Sequence, residues 1–329
     1  MEAANLPKTS SSISNSLIEL MSDSLDEYQI QETLGEGSYG QVFLATGPDG
    51  PVAVKMLRGD RMTRQMQGRF QLECEALARA KGHPNIVEPR TKLREAKDGS
   101  LYIVLEYVPG GTLGVCLAES SLKPDQVLKI SLGLTRALVR VHELGYLHRD
   151  FCTGNILLTE DFEPKLIDFG LCRELEQSRG LTPHFWFAHG DPNSAAPERL
   201  FHIESGEVGD AYSLGCLIYH MCVGRSHFRL GKLSMLYSVY TKQMEQFFRS
   251  CMNQGLPCPS IDFRPVYEYY LANSPTSVPK REDLAVPLDD AAWSGLKEVL
   301  EDLLQADYQR RLSRFETLTA VLTHLEGLV

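Results

Sequence analysis

A glycine-rich run near the start of the chain has the spacing of a loop that approaches phosphate groups. Gly35, Gly37 and Gly40 are followed by Val42 in the pattern G-x-G-x-x-G-x-V. Because glycine has no Cβ, backbone amides can come close to phosphate oxygens at such positions. A dinucleotide-binding loop would open a helix after its last glycine, whereas residues 41–45 have the pattern of a second strand. The run therefore predicts a hairpin that covers a phosphate group.

A lysine follows this run inside an apolar strand. Lys55 ends the sequence V-A-V-K, fifteen residues after Gly40. A buried ammonium group needs an anionic partner, which phosphate oxygens and a carboxylate can both supply. The next segment is predicted to be helical and carries two candidates, Glu73 and, as the second choice, Glu75. We expect Lys55 to pair with Glu73.

Polar motifs follow in a fixed order through the second half of the chain. They are His148-Arg149-Asp150 with Asn155, then Asp168-Phe169-Gly170, then Ala196-Pro197-Glu198, and finally Asp210 and Arg311. Taken with the glycine run and Lys55, these motifs resemble those of the eukaryotic-type protein kinase family over residues 28–328. Each motif is short, but their order and spacing together make the resemblance specific.

The resemblance implies both a fold and an activity. The fold would be of the α+β class, two-lobed and protein-kinase-like, with a small β-rich N-lobe and a larger helical C-lobe. The activity would be transfer of the ATP γ-phosphate to a protein hydroxyl, and we favour Ser/Thr over Tyr. Such transfer depends on positioning and charge neutralisation more than on covalent chemistry of the enzyme.

The resemblance also implies a role for individual residues. Asp150 would orient the substrate hydroxyl and accept its proton, while Asp168 and Asn155 would hold Mg²⁺. Lys55, paired with Glu73, would grip the ATP phosphates. The remaining nucleotide contacts would come from Leu34, Gly35, Gly37, Gly40, Val42, Ala53, Glu106 and Val108. Three further residues are expected to be architectural: Glu198 and Arg311 as an ion pair, and Asp210 as a hydrogen-bond anchor between a helix and a loop. His148 is expected to be a packed structural histidine.

Two positions depart from the Ser/Thr kinase pattern. Many members carry lysine two residues after the catalytic aspartate, where this chain has Cys152. Many also carry threonine after a glycine ahead of the Ala-Pro-Glu motif, and alignment of Gly190 there gives Asp191. A carboxylate beside the transferring phosphate would oppose transfer by like charge. The alternative function is therefore a catalytically weak, pseudokinase-like binding or scaffold module.

Composition limits the classes of partner. The chain has 329 residues and a formal net charge of −10, which weighs against a chain-wide nucleic-acid binder. No apolar run approaches the roughly 18 residues that a membrane span needs. Eight cysteines without zinc or disulfide-framework spacing suit free thiols in the reducing cytoplasm. We expect a protein substrate, no nucleic acid and no membrane span, and the oligomeric state is left open.

The elements that must position these residues can be predicted from periodicity. Residues 1–26 are expected to be a flexible Ser-rich tail, and residues 27–329 a kinase domain with an N-lobe over 27–108 and a C-lobe over 109–329. Short β-branched runs predict strands in the N-lobe, interrupted by a helix over 70–80. The C-lobe is predicted to contain a helix opened by Pro124 and two more over 210–222 and 312–328.

Overall fold

The computed structural model of the chain describes residues 25, 27–37, 40–59, 62–175, 191, 193–200, 203, 205–227, 268, 271–272 and 278–329. These residues form two compact units. The first unit contains the described residues up to Cys74 together with Glu88–Tyr107. The second contains Glu75–Val87 and the described residues from Val108 onward.

The first unit is built on an antiparallel sheet of five strands. The strands are β1 (Gln29–Gly37), β2 (Gly40–Gly47), β3 (Gly50–Leu57), β4 (Arg94–Glu95) and β5 (Leu101–Glu106), in the spatial order β1-β2-β3-β5-β4. Alternate residues of β2, including Phe43 and Ala45, are fully buried, as expected for a strand with one face on the core. Leu25, within the segment predicted to be a tail, is only 1% exposed and belongs to this core.

Helix α1 (Arg64–Ala80) follows β3 and begins six residues before the predicted start at residue 70. Its apolar residues, such as Phe70 and Cys74, are buried, and their helical spacing is the pattern that predicted a helix over 70–80. The first turns are polar, and the Thr63 hydroxyl accepts a hydrogen bond from the Met66 amide at 3.2 Å. A side-chain cap of this kind satisfies an amide that the helix itself leaves unpaired. The apolar pattern alone could not locate that start.

The second unit is mainly helical. Its helices are α2 (Leu113–Glu119), α3 (Pro124–Glu143), α4 (Pro197–Leu200), α5 (Glu207–Val223), α6 (Asp290–Leu303) and α7 (Leu318–Glu326). The predicted apolar face of α3 is confirmed, since Val127, Ile130, Leu134, Leu138 and Val141 are all buried. The helix predicted over 210–222 is also confirmed as α5, and it is buried along almost its whole length. Helix α3 packs against both α5 and α7.

Two short antiparallel ribbons accompany these helices. Strand β6 (Tyr146–Leu147) pairs with β9 (Arg173–Glu174), and β7 (Ile156–Leu158) pairs with β8 (Pro164–Leu166). A 3₁₀ turn, Thr153–Asn155, directly precedes β7. The ribbons therefore bracket the motif residues 148–150, 155 and 168.

The final helix was predicted to start at residue 312, and this was wrong. Residues 312–317 form turns, in which the buried Asp302 carboxylate accepts the backbone amides of Arg314 and Phe315, each at 3.1 Å. Helix α7 begins only after Thr317, whose hydroxyl accepts the Ala320 amide. A distant carboxylate that takes over backbone donors cannot be seen in local periodicity.

The expected α+β class, with a β-rich N-terminal part and a helical C-terminal part, is confirmed by these elements. Within the described residues, no helix is both long enough and apolar enough to cross a membrane. Residues 1–24, which hold most of the predicted Ser-rich tail, and most of residues 228–277 lie outside the described part of the chain.

A buried ion pair ties α4 to the chain between α6 and α7. Arg311 donates to both carboxylate oxygens of Glu198, at 2.7 and 3.0 Å, and both side chains are fully buried. Arg311 also donates to the carbonyl oxygens of Val208 and Gln305 and lies over the Tyr212 ring. The expected pairing of Glu198 with Arg311 is confirmed.

This geometry generates a stability prediction. Glu198→Gln should lower the free energy of unfolding by about 3–5 kcal/mol, because it leaves the Arg311 guanidinium buried without its anion. The matched control is Arg136→Gln, which breaks a pair with Glu326 whose side chains are 44% and 46% exposed. That change should cost no more than about 1 kcal/mol. Urea unfolding measures both, and equal losses in the two variants would contradict the assignment.

Candidate active site

In the first unit, Lys55 and Glu73 form a buried ion pair. Lys55 lies in β3, where its Cα partners are Val42 in β2 and Ile103 in β5. Its Nζ is 2.5 Å from Glu73 Oε1, and the two side chains are 10% and 1% exposed. Glu75, the second choice, is exposed. The carboxylate fixes the ammonium group at a defined place on the sheet.

The same face of the sheet carries apolar residues predicted to contact the nucleotide. Directly paired residues point to the same face, and so do residues two apart in one strand. Val42 and Ala53 therefore share the face of Lys55. Leu34 in β1 is 43% exposed, beside the bulge that precedes Gly35. The arrangement combines an apolar surface with one fixed cation, which suits a nucleotide base and its phosphates.

The glycine run forms the predicted hairpin, with Gly37 paired to Gly40 across the turn between β1 and β2. The structure shows a second reason for glycine at position 40, which could not be predicted from the sequence. A Cβ at this position would lie 2.4 Å from the carbonyl oxygen of Met56 in β3. Gly40 thus allows close strand packing, in addition to any approach to phosphate.

The residues expected to contact the nucleotide edge lie at the end of β5 and just after it. Glu106 exchanges two hydrogen bonds with Glu88 in the first unit. Its backbone amide donates to the Glu88 carbonyl, and its carboxylate accepts the Glu88 amide, each at 2.9 Å. Val108 belongs to the second unit and is buried. The hydrogen bonds of Glu106 and the burial of Val108 both restrict the backbone that would present hydrogen-bonding groups to the nucleotide.

In the second unit, Asp150 is held at both carboxylate oxygens. The Asn155 side-chain amide donates to Oδ2 at 2.8 Å and to the Asp150 carbonyl oxygen at 3.0 Å. The backbone amide of Asp191 donates to Oδ1 at 3.0 Å. Burial raises the pKa of Asp150, while the His148 imidazole and these two donors partly oppose the rise. The carboxylate is therefore held in a defined orientation.

Asn155 and Asp168 are brought to the same end of one ribbon. Asn155 directly precedes β7, Asp168 follows β8 by two residues, and the Ile167 amide donates to the Asn155 carbonyl oxygen at 2.9 Å. Because Asn155 Nδ2 donates to Asp150, its Oδ1 is the atom left to bind a cation. Asp168 adopts a left-handed φ of 62° and accepts the Gly170 amide at 3.0 Å.

This donor set fits Mg²⁺. Amide and carboxylate oxygens are hard ligands, and Mg²⁺ usually takes only one or two protein oxygens beside phosphate and water. The neighbouring Cys152 is 7% exposed, and burial, followed by the Asp150 charge, raises its pKa to about 12. It is a neutral thiol, which does not favour zinc. No cluster of three or more acidic, histidine or cysteine side chains suited to a metal occurs in the part of the chain that is described.

Asp210 connects this site to α5. Its Oδ2 accepts the His148 amide at 2.8 Å and its Oδ1 accepts the Arg149 amide at 2.9 Å. His142 Nε2 lies 3.0 Å from Oδ2, and Arg199 donates to Oδ1 at 2.8 Å. Burial alone would raise the pKa of Asp210, but Arg199 and His142 hold it well below its usual range. The expected helix-to-loop anchor is confirmed.

Two of these partners of Asp210, Arg199 and His142, were not predicted from the sequence. Arg199 directly follows Glu198, the last residue of the Ala-Pro-Glu motif. That arginine, in addition to Arg311, was the signal in the sequence from which a further buried ion pair could have been predicted. His148 is packed as expected, with its ring edge-on to Phe151 and Phe169 at centroid distances of 5.6 and 5.0 Å. His148 therefore stabilises the loop by packing and is not assigned the role of a catalytic base.

Asp191 contributes its backbone to Asp150 and turns its side chain toward its own loop. Its Oδ1 accepts both the backbone amide and the side-chain amide of Asn193, each at 2.9 Å. Gly190, on which the alignment of this position depends, lies outside the described residues. The side-chain geometry explains how an aspartate is tolerated beside Asp150, because its charge is engaged by two donors.

Comparison with known proteins agrees with this geometry. A model of the protein kinase domain matches residues 28–324. The chain is 34% identical over 215 residues to the serine/threonine-protein kinase PLK4 of Nematostella vectensis, covering 63% of this chain and 21% of that protein. It is 31% identical over 214 residues to the kinase Nek2 of Mus musculus, covering 61% of this chain and 47% of that protein.

A bacterial relative shows a similar match. The chain is 32% identical over 246 residues to the serine/threonine-protein kinase PksC of Streptomyces coelicolor, covering 71% of this chain and 44% of that protein. The chain thus spans between about a fifth and a half of the length of these curated relatives. Since the family model covers almost all of its residues, the chain belongs to the protein kinase family.

Proposed function

We propose that the chain transfers the γ-phosphate of ATP, bound with Mg²⁺, to a serine or threonine hydroxyl of a protein. The observation that carries this proposal is the fixed Asp150 carboxylate, which accepts from Asn155 Nδ2 and from the Asp191 amide. Each oxygen keeps a second lone pair. Asp150 can therefore orient a substrate hydroxyl and take its proton as the phosphoryl group is transferred.

The roles of the other residues follow from their positions within each unit. In the second unit, Asn155 Oδ1 and the Asp168 carboxylate would hold Mg²⁺, which supplies charge neutralisation at the phosphates. In the first unit, the Lys55 ammonium would contact the α- and β-phosphates, with Glu73 holding it in place. The apolar face formed by Leu34, Val42 and Ala53 would accommodate adenine, with polar backbone from Glu106 and Val108.

A catalytically weak binding module is the less favoured alternative. It was suggested by Cys152 and Asp191, which replace a lysine and a threonine of the usual pattern. The Asp191 charge, however, is engaged by Asn193, and its amide supports Asp150. The curated relatives are also named as serine/threonine-protein kinases.

The domain limits and the cellular setting are also proposed. We take residues 27–329 as the kinase domain, with the division between its two parts after Val108. A cytoplasmic setting is supported by the cysteines, because the six that the structure describes are all free thiols.

The catalytic role of Asp150 can be tested by phosphate transfer from radiolabelled ATP to a mixed Ser/Thr protein substrate. Asp150→Asn should lower kcat by about 10²–10⁴-fold, because the group that accepts the proton is lost. The matched control is Asp161→Asn, which makes the same change in the exposed turn between β7 and β8. That variant should keep wild-type turnover. An Asp150→Asn enzyme within threefold of wild type would contradict the role.

The nucleotide roles can be tested without turnover. Mg²⁺ and ATP together, at about 100 times the dissociation constant, should stabilise the folded protein by about 2.7 kcal/mol. The Asp168→Asn variant should lose most of the stabilisation that depends on Mg²⁺, and the Lys55→Met variant should lose the stabilisation by ATP. Thermal unfolding with and without ligand gives both results, with Asp161→Asn as control. Undiminished ligand stabilisation in either variant would show that the altered residue does not bind Mg²⁺ or ATP.

A further inference from the structure

Arg199 connects helix α4 to the carboxylate that holds the loop before Asp150. Its side chain is 4% exposed and donates through Nη1 to Asp210 Oδ1 at 2.8 Å. The same oxygen accepts the Arg149 amide at 2.9 Å. Through Nη2, the guanidinium also donates to the Gly206 carbonyl oxygen at 3.1 Å, directly before α5 begins. Two acceptors at separate nitrogens fix the plane of the guanidinium beside Asp210.

Gly209 leaves the space that this guanidinium occupies. It lies inside α5, where alanine would favour the helix more than glycine does. A Cβ at position 209 would lie 2.5 Å from Arg199 Nε and 2.6 Å from Arg199 Cζ. It would also lie 2.6 Å from Ser205 Oγ, an atom that makes no hydrogen bond in the described part of the chain. Close packing of the guanidinium, and not helix formation, therefore explains the glycine.

The guanidinium also keeps the Asp210 carboxylate charged. Burial raises the pKa of this carboxyl group, and Arg199 has the largest of the opposing effects, ahead of His142. A charged acceptor makes stronger hydrogen bonds with backbone amides than a neutral one does. The loop depends on such a bond at Arg149, because the left-handed φ of 68° at this residue needs support from its surroundings. Arg199 therefore strengthens the contact that holds the loop.

We propose that Arg199 is a positioning residue for phosphoryl transfer, which acts through Asp210 on the backbone that places Asp150. Its neighbour Glu198 is paired with Arg311, so two consecutive buried side chains fix α4 within the second unit. Asp150 acts on the substrate hydroxyl in the transition state, so loss of the guanidinium should lower kcat and leave KM almost unchanged. The inference rests on the proposed function, because it concerns the residue that accepts the proton in that reaction.

Hydrogen exchange tests this connection without an assay of activity. In Arg199→Met, the Arg149 amide should exchange about tenfold or more faster than in the wild-type protein, because its acceptor loses the partner that keeps it charged. The Leu217 amide, in the middle of α5, should exchange at the wild-type rate, which separates a local effect from general unfolding. Unchanged exchange at Arg149, or an equal acceleration at Leu217, would overturn the proposal.

Phosphate transfer from radiolabelled ATP measures the consequence for the reaction. Arg199→Met should lower kcat, expressed per folded enzyme, by about tenfold to a hundredfold, with KM for ATP and for the protein substrate within about threefold of wild type. Arg199→Lys restores a positive charge beside Asp210 and should recover kcat to about a third of the wild-type value. The matched control is Arg136→Met, the same change at an exposed pair of α3, which should keep wild-type turnover. No loss of kcat in Arg199→Met, or no recovery in Arg199→Lys, would contradict the role.

Gly209→Ala gives a second variant, in which Arg199 keeps its charge but loses its place. The added Cβ should displace the guanidinium and lower kcat, while alanine maintains the helix. In the Arg199→Met background, the same change should have little further effect on kcat, because the group that it displaces is absent. Independent, multiplicative losses in the double variant would show that Gly209 does not serve Arg199.

The two readouts separate this inference from the proposed function. If the wild-type protein transfers no phosphate but the Arg149 amide loses protection in Arg199→Met, the kinase function fails and the link from Arg199 to the loop stands. If the wild-type protein transfers phosphate and Arg199→Met changes neither the exchange of that amide nor kcat, the kinase function stands and the inference fails.

Discussion

The buried charge of Asp210 is the constraint on which the second unit depends. A carboxylate without exposure to solvent is costly unless donors surround it, and this one receives two backbone amides, an imidazole and a guanidinium. The amides belong to the two residues before Asp150. Arg149 adopts a left-handed φ of 68°, a conformation that a residue with a Cβ adopts only when its surroundings require it. The anchor thus fixes the backbone that leads into the proposed catalytic aspartate.

The same principle recurs in each unit, where a buried charge is placed by an opposite charge from another element. Lys55 is fixed by Glu73 of α1, and Arg311 by Glu198 of α4. Pairs of this kind add little net stability compared with apolar packing, but the loss of one partner is severe. They therefore fix geometry more than they add free energy. Surface pairs such as Arg136–Glu326 lack this property, because water can replace either partner.

Much of this arrangement could be predicted from the sequence, because it depends on short spacings. The apolar face of α3, the β1–β2 hairpin and the Lys55–Glu73 pair were all predicted. The missed start of α1 has a local cause, the Thr63 cap, but the other failures arise from contacts between residues far apart in the sequence. Asp302 takes the backbone donors that would have extended α7, and Arg199 joins Asp210 through the fold rather than through a motif. Gly40 was expected for its approach to phosphate, but its close contact with the Met56 carbonyl appears only once the strands are paired.

Asp210 holds the loop that positions Asp150, and hydrogen exchange at individual amides tests this role most directly. The His148 and Arg149 amides should be protected in the wild-type protein and should lose much of that protection in Asp210→Asn, because an asparagine oxygen replaces only one of the two acceptors. Glu207→Gln, a change of the same kind one turn away on the exposed side of α5, should leave them protected. Unchanged protection of both amides in Asp210→Asn would contradict the account.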